Sequence, residues 1–177
     1  MGKLSNIDKA AEQKGKGIVG LWQFVKFIFV SLLAMIVQFA LLNILSIIPA
    51  IVELGQQEFN WFVFSYPVEE NGLGGLGYFI AFNVANIVAQ IVAFFVNREK
   101  TFNADNNIPV TLTIYIIFTV ALICFSAWLS PTLNSFLLEK GASEALALNA
   151  ATMACSAIQF FLYFPVDKIL MRKKKTD

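Results

Sequence analysis

The side chains best placed for chemistry in this chain are neutral amides and hydroxyls. Asn83, Asn86, Gln90 and Asn97 follow one another at spacings of three, four and seven. On a helix turning about 100° per residue they fall within an arc of roughly 60°. Asn149, Thr152, Ser156, Gln159 and Tyr163 follow at three, four, three and four, within an arc of roughly 80°. Weaker faces carry Tyr115, Thr119, Ser126 and Ser130, and Ser31 with Gln38. An amide offers donors and an acceptor without a charge, so such faces can bind a polar solute or each other. Other chemistry is excluded. The chain has no His, which removes a histidine general base and histidine zinc ligands. No nucleophile–base pair or metal cluster is visible, so neither an enzyme nor a metal or other cofactor is expected. The Gly72, Gly74, Gly75, Gly77 cluster follows no strand and reads as a flexible lead-in to a helix, not a nucleotide loop. Cys124 and Cys155 read as inert core thiols.

The elements that carry these stripes follow from composition. Of 177 residues, 58% are hydrophobic and only 14% charged, and 18 are Phe. A soluble domain has roughly 25% charged residues to cover its surface. Charge is missing from Phe27 to Val52, Asn71 to Asn97, Asn106 to Leu138 and Ala145 to Val166. Each window exceeds the ~18 apolar residues that mark a membrane-spanning helix. Trimmed to 27–48, 73–96, 110–130 and 145–166, the spans fill about half the chain and predict an all-α integral membrane protein of four transmembrane helices. Pro49 and Pro131 stand where the first and third helices are expected to stop. No Asp, Glu, Lys or Arg lies inside the trimmed spans, so the membrane carboxylate of a proton-driven exporter is not expected.

The cations set the direction. Lys3, Lys9, Lys14, Lys16 and Lys26 precede the first span. Arg98 and Lys100 fall between the second and third, and Lys168, Arg172, Lys173, Lys174 and Lys175 follow the fourth. Twelve of the 13 cations therefore share one side, and the positive-inside rule places that side and both termini in the cytoplasm. The first span is too long for a signal-peptide h-region and is expected to stay in the membrane. The 49–72 connection then lies outside. Its Phe59, Trp61, Phe62, Phe64 and Tyr66 read as an interfacial aromatic belt, with Trp22 and Trp128 as anchors. A shift of 66 residues aligns Asn83 with Asn149, Ala85 with Ala151, Phe94-Phe95 with Phe160-Phe161 and Asn97 with Tyr163. The chain thus reads as two helical hairpins in a parallel pseudo-repeat.

At the end of the second span the run Phe94-Phe95-Val96-Asn97-Arg98-Glu99-Lys100-Thr101-Phe102 resembles the signature of the GtrA-like family, a Phe-rich helix ending in Asn-Arg-x-x-Thr-Phe. The opening Phe24–Val30 run with Ala34 and Gln38 is similar to that family's first helix. Gln159–Phe164 resembles a degenerate second copy of the signature. The likeness spans residues 24–168, leaving 1–23 as a basic cytoplasmic segment and 169–177 as a basic tail. The resemblance implies a role in surface polysaccharide or teichoic acid glycosylation. The implied step moves a polyprenyl-phosphate-linked monosaccharide from the cytoplasmic to the outer leaflet of the plasma membrane.

In that reading Arg98, Lys100, Lys26 and Lys168 meet the phosphate at the inner border, Arg98 through its planar fork. Gln38, Asn83, Asn86, Gln90, Asn97, Asn149, Thr152, Ser156, Gln159 and Tyr163 form the polar path for the sugar. Implied partners are the lipid-linked sugar, membrane lipid and membrane glycosyltransferases, with a homo-oligomer left open and no nucleic acid. The alternative is a non-transporting accessory subunit that anchors or stabilises a membrane glycosyltransferase. A small-solute exporter is disfavoured by the missing carboxylate. The topology is tested by single cysteines: those near Gln57 and Gly141 should react with an impermeant reagent in intact cells, and one at Asn106 should not. Labelling at Asn106 would sink the both-ends-inside arrangement.

Overall fold

The computed structural model describes residues 3–69 and 74–171. Glu70, Gly72 and the tail cations Arg172, Lys173, Lys174 and Lys175 lie outside the described residues. The elements in order are α1 (Lys3–Gln13), α2 (Lys16–Ser46), α3 (Pro49–Leu54), β1 (Phe59–Trp61), β2 (Phe64–Tyr66), α4 (Gly75–Val96), a π-helical turn (Asn97–Thr101), α5 (Ile108–Glu139) and α6 (Glu144–Leu170). Four of the helices are long and apolar enough to cross a membrane. In hydrocarbon a backbone amide must find its partner within the protein, and a helix satisfies every interior one by itself. The fold is therefore all-α, with one small hairpin outside the long helices.

Three boundaries differ from the sequence expectation. The segment before the first span is helical: α1 lies on α2, and Asp8 accepts hydrogen bonds from Trp22 Nε1 at 2.6 Å and Lys26 Nζ at 3.0 Å. Pro131 does not stop α5, which runs on to Glu139. Beside the proline the Thr132 hydroxyl donates to the Trp128 carbonyl at 2.8 Å, the side-chain bonding by which membrane helices tolerate proline. The fourth span continues past Val166 to Leu170, again through a proline, and so takes in Asp167.

The helices pair as two hairpins. α2 packs chiefly on α4 and α5 chiefly on α6, whereas α4 meets α5 more sparsely. Small residues bring the backbones close. Ala81, Ala85, Ala89 and Ala93 form one buried ridge on α4, and Val30 and Ala34 of α2 pack with Ala89 and Ala93. Ala147, Ala151 and Cys155 form the matching buried ridge on α6. These ridges stand 66 residues apart, the offset of the sequence pseudo-repeat, so the likeness of the two helices extends to their buried faces. Aromatic rings join the hairpins at one end. Phe24 and Phe27 of α2 meet Phe160 and Phe164 of α6 with centroids 4.9–5.7 Å apart.

At the opposite end the aromatic connection forms an antiparallel hairpin pairing Phe59 with Tyr66 and Trp61 with Phe64. Phe59, Phe64 and Tyr66 surround Phe79 of α4, with centroids 4.3, 5.1 and 5.5 Å from its ring. The aromatics expected as an interfacial belt form a built cap on α4, with Trp61 and Phe62 exposed. Gly74, Gly75 and Gly77, at the start of α4, are sites of close approach, not a flexible lead-in. A Cβ on Gly77 would stand 2.1 Å from the Ile51 carbonyl oxygen and 2.6 Å from the Gly55 amide of the α3 segment. Gly77→Ala should therefore cost about 1–3 kcal/mol of stability through overpacking. Gly17→Ala, where nothing stands within 4 Å, is the control. Thermal unfolding in detergent should show a lower midpoint for Gly77→Ala alone; equal midpoints would contradict the close α3–α4 contact.

Candidate functional site

The two hairpins leave polar space between them. A cavity of about 380 Å³ lies at the hairpin end, where Phe64 and Tyr66 form part of its wall. Its polar lining is Gln38 from α2, Asn83 and Asn86 from α4, Ser126 and Ser130 from α5, and Thr152, Ser156 and Gln159 from α6. A second cavity of about 340 Å³ reaches the other end of α4. It is lined by Ser31, Gln38, Gln90, Asn97, Tyr115, Ser156, Gln159 and Tyr163 among apolar residues of α2 and α6. Gln38, Ser156 and Gln159 belong to both walls. Nine of the ten residues in the sequence-derived polar path thus share one lane. Asn149 does not: it is exposed and lies outside both linings, one turn beyond Thr152.

Part of the stripe is committed to hydrogen bonds between helices. Tyr115 OH donates to Gln90 Oε1 at 2.8 Å, Gln159 Nε2 to Ser126 Oγ at 2.6 Å, and Tyr163 OH to Thr119 Oγ1 at 3.0 Å. Others bond their own helix: Asn83 Nδ2 donates to the Phe79 carbonyl at 2.8 Å and the Thr152 hydroxyl to the Leu148 carbonyl at 2.9 Å. Asn86 faces the first cavity without such a tie, between Asn83 and Gln90 on the same helix face.

The lane ends on a buried polar cluster. Asn97 is 1% exposed, Thr101 2% and Asp167 0%. Thr101 Oγ1 donates to Asn97 Oδ1 at 2.9 Å, which turns the amide so that Nδ2 donates to Asp167 Oδ2 at 3.0 Å. The other carboxylate oxygen, Oδ1, is buried without a hydrogen-bond partner. The π turn at Asn97–Thr101 shifts the register after α4, as such turns do at functional sites, and buries Asn97 and Thr101 together. Asp167 was absent from the sequence reading because it stands just beyond a charge-free window. The signal that finds it is spacing. It lies four residues after Tyr163 and continues the fourth-span stripe by one turn.

The four cations expected at the phosphate do not line either cavity. Arg98, half-buried, donates from Nη2 to the Asn106 carbonyl at 3.0 Å, and its Nε is buried without an acceptor. The Asn106 side chain in turn donates to the Leu170 carbonyl and to Thr111 Oγ1. Arg98 therefore braces the 97–108 connection against the end of α6. Lys100 is exposed and pairs with Glu99, and Lys26 is held by Asp8. Lys168 is exposed, with Nζ 5.7 Å from the Phe164 ring centroid. All four lie at the Asn97 end but do not converge on one point.

The chain matches no family model, no curated protein and no solved structure.

The Asn97–Asp167 bond lends itself to a double-mutant cycle. Asn97→Leu leaves the Asp167 carboxylate buried without a donor and should cost about 1–3 kcal/mol, whereas replacing both groups with apolar ones is expected to cost less than the sum. Detergent unfolding of Asn97→Leu, Asp167→Leu and the double variant should give a coupling of about 1 kcal/mol or more. Additive losses would show that the two side chains stabilise the protein independently.

Proposed function

We propose that this protein carries a polyprenyl-phosphate-linked monosaccharide from the cytoplasmic to the outer leaflet of the plasma membrane, for transfer to surface polysaccharide or teichoic acid. The observation that supports this reading most is the shared lining of the two cavities. Amides and hydroxyls from all four long helices face one lane between the aromatic hairpin and Asn97. Sugar hydroxyls need donors and acceptors when they leave water, and a lane of neutral amides offers both without trapping the substrate as a charge would. The exposed apolar faces of α2, α5 and α6 suit a lipid tail that stays in the hydrocarbon while its head group moves. The resemblance of Asn97–Phe102 to the GtrA-like signature points to the same class of substrate.

In this orientation the Asn97 end is cytoplasmic and receives the phosphate. Arg98 is the cation nearest to the lane in sequence, and one of its guanidinium nitrogens, Nε, has no protein acceptor. A phosphate oxygen would complete it with a charge-assisted bond once movement of the 97–108 connection uncovers that buried nitrogen. Lys100, Lys26 and Lys168 at the same level supply attraction to the anionic head group. The hairpin end then opens to the outer leaflet, where Phe64 and Tyr66 offer rings to a sugar face.

A second reading, an accessory subunit for a membrane glycosyltransferase, is favoured by one specific observation. Gln90, Gln159 and Tyr163 already have protein partners, as packing alone would require. Asn86 separates the two readings, since it lines the cavity and supports no such pair. Asn86→Leu should leave thermal stability and membrane insertion unchanged. It should slow translocation of a short-chain polyprenyl-phosphate glucose in proteoliposomes by about tenfold, equivalent to about 1.4 kcal/mol of lost transition-state stabilisation. Wild-type translocation by Asn86→Leu would remove Asn86 from the path, and no translocation by the unmodified protein would favour the accessory role.

A further inference from the structure

Among the described residues, the Asp167 carboxyl is a buried acid with one oxygen left without a partner. It is fully buried, and no Lys or Arg among the described residues forms an ion pair with it. Its Oδ2 has a single donor, Asn97 Nδ2, and its Oδ1 has none. An ionised carboxylate removed from water needs a cation or several donors to offset its lost hydration. The local backbone works against the charge as well. Asp167 lies in the last turn of α6, and its partner Asn97 opens the turn that ends α4. Helix C-termini present free carbonyls and the negative end of the dipole, which suits a proton donor and opposes an anion.

Among the described residues, every element around the carboxyl is neutral toward it or has its charge engaged elsewhere. The turn after α4 offers Asn97 and Thr101. α5 and α6 bring Tyr115 and Tyr163, whose hydroxyl groups donate to Gln90 and Thr119. Arg98 directs Nη2 at the Asn106 carbonyl, Lys168 lies over the Phe164 ring, and Lys26 of α2 is held by Asp8. Asp167 is not itself on a cavity wall. It stands behind Asn97 and Tyr163, which are, so whatever occupies the second cavity senses it through those two side chains.

We propose that Asp167 is a proton-binding site whose occupancy is linked to an anionic head group in the second cavity. The proposal rests on the translocation reading above for the identity of that anion. The step is a simple protonation. One proton taken from water forms an O–H bond at Oδ1 and converts the carboxylate to the neutral acid, while Oδ2 keeps the Asn97 hydrogen bond. A phosphate near Asn97 and an ionised Asp167 repel one another across a region of low dielectric, so binding of the phosphate draws the proton in. By reciprocity the proton tightens binding of the phosphate. Release of the head group on the far side returns the carboxyl to its less protonated state, and the proton leaves. A pH difference across the membrane would then bias the direction of transport.

The test uses the full-length protein in nanodiscs and a short-chain polyprenyl-phosphate glucose as probe. In weakly buffered solution with a pH indicator, near the carboxyl's own titration midpoint, probe binding should take up protons in the wild type. Asp167→Asn, which keeps an acceptor for Asn97, should bind the probe without uptake, and Asp167→Glu should recover uptake. Wild-type affinity should weaken with rising pH, by up to about tenfold per unit, and Asp167→Asn should lose that slope. Binding with no proton uptake in the wild type, or unchanged uptake in Asp167→Asn, overturns the proposal. If the probe binds neither protein, the lipid-sugar reading fails by itself. Infrared titration of the unliganded wild type then decides the proton site. A carboxylic-acid C=O band that titrates and is missing from Asp167→Asn supports it, and no such band over the pH range where the protein stays folded rejects it.

Discussion

A hydrogen bond between side chains 70 residues apart, Asn97 to Asp167, joins the two halves of this bundle. The helices that carry them belong to different hairpins and otherwise meet little through their backbones. In hydrocarbon a polar side chain without a partner is costly, so a polar pair specifies which helices meet and in what register. Thr101 adds to that specification by fixing the orientation of the Asn97 amide. The aromatic cluster of Phe24, Phe27, Phe160 and Phe164 then closes the same end without adding polarity. Because bulky rings join the hairpins there while alanine ridges draw the helices together within each hairpin, space is left between the pairs.

That division of labour accounts for where the polar stripes point. Small residues spaced by four are buried along α4 and α6, and on α4 Ala89 and Ala93 pack with Val30 and Ala34 of α2. The amides fall on the adjacent face of each helix, which looks across the gap. Burying an alanine ridge and exposing an amide stripe to a shared space are two consequences of one helical period. The interhelical pairs Gln90–Tyr115, Gln159–Ser126 and Tyr163–Thr119 hold the walls in place. Each contributes only about 0.6 kcal/mol by analogy with measured membrane pairs, so the lane can repack without unfolding the bundle. A translocation path needs that property, because its walls must exchange hydrogen bonds with a moving solute.

The cations behave differently from the amides. Arg98, Lys100, Lys26 and Lys168 fall at the Asn97 end, yet Arg98, Lys100 and Lys26 each find their own neighbour there. Arg98 braces the connection before α5, and Asp8 reaches back from α1 to hold Lys26 and Trp22. Behind the lane's Asn97 end lies instead a buried carboxyl, Asp167, with no cation paired to it among the described residues. Its chemistry comes from what surrounds it, two helix ends and one amide, and not from a nearby charge.

The sequence by itself determined the number of long helices, the face each stripe occupies and the likeness of α4 to α6. Charge-free windows and residue spacing are local properties, and the membrane leaves a helix as the only way to satisfy their backbone. Nine of the ten stripe residues line the two cavities for the same reason, since a stripe along one helix survives whatever it packs against. Helix ends were less legible. Pro131 and Pro165 were passed over because the surrounding turns hold without one bond each, and the extension past Val166 carried Asp167 from a connection into the core. Only the tertiary structure decided which stripes face each other, that Asn149 falls outside, that Arg98 braces a connection, and that Asp167 is buried behind Asn97. Those facts depend on contacts between residues far apart in the chain, where register is set by alanine ridges, rings and a single polar pair, none of which the spacing along one helix can specify.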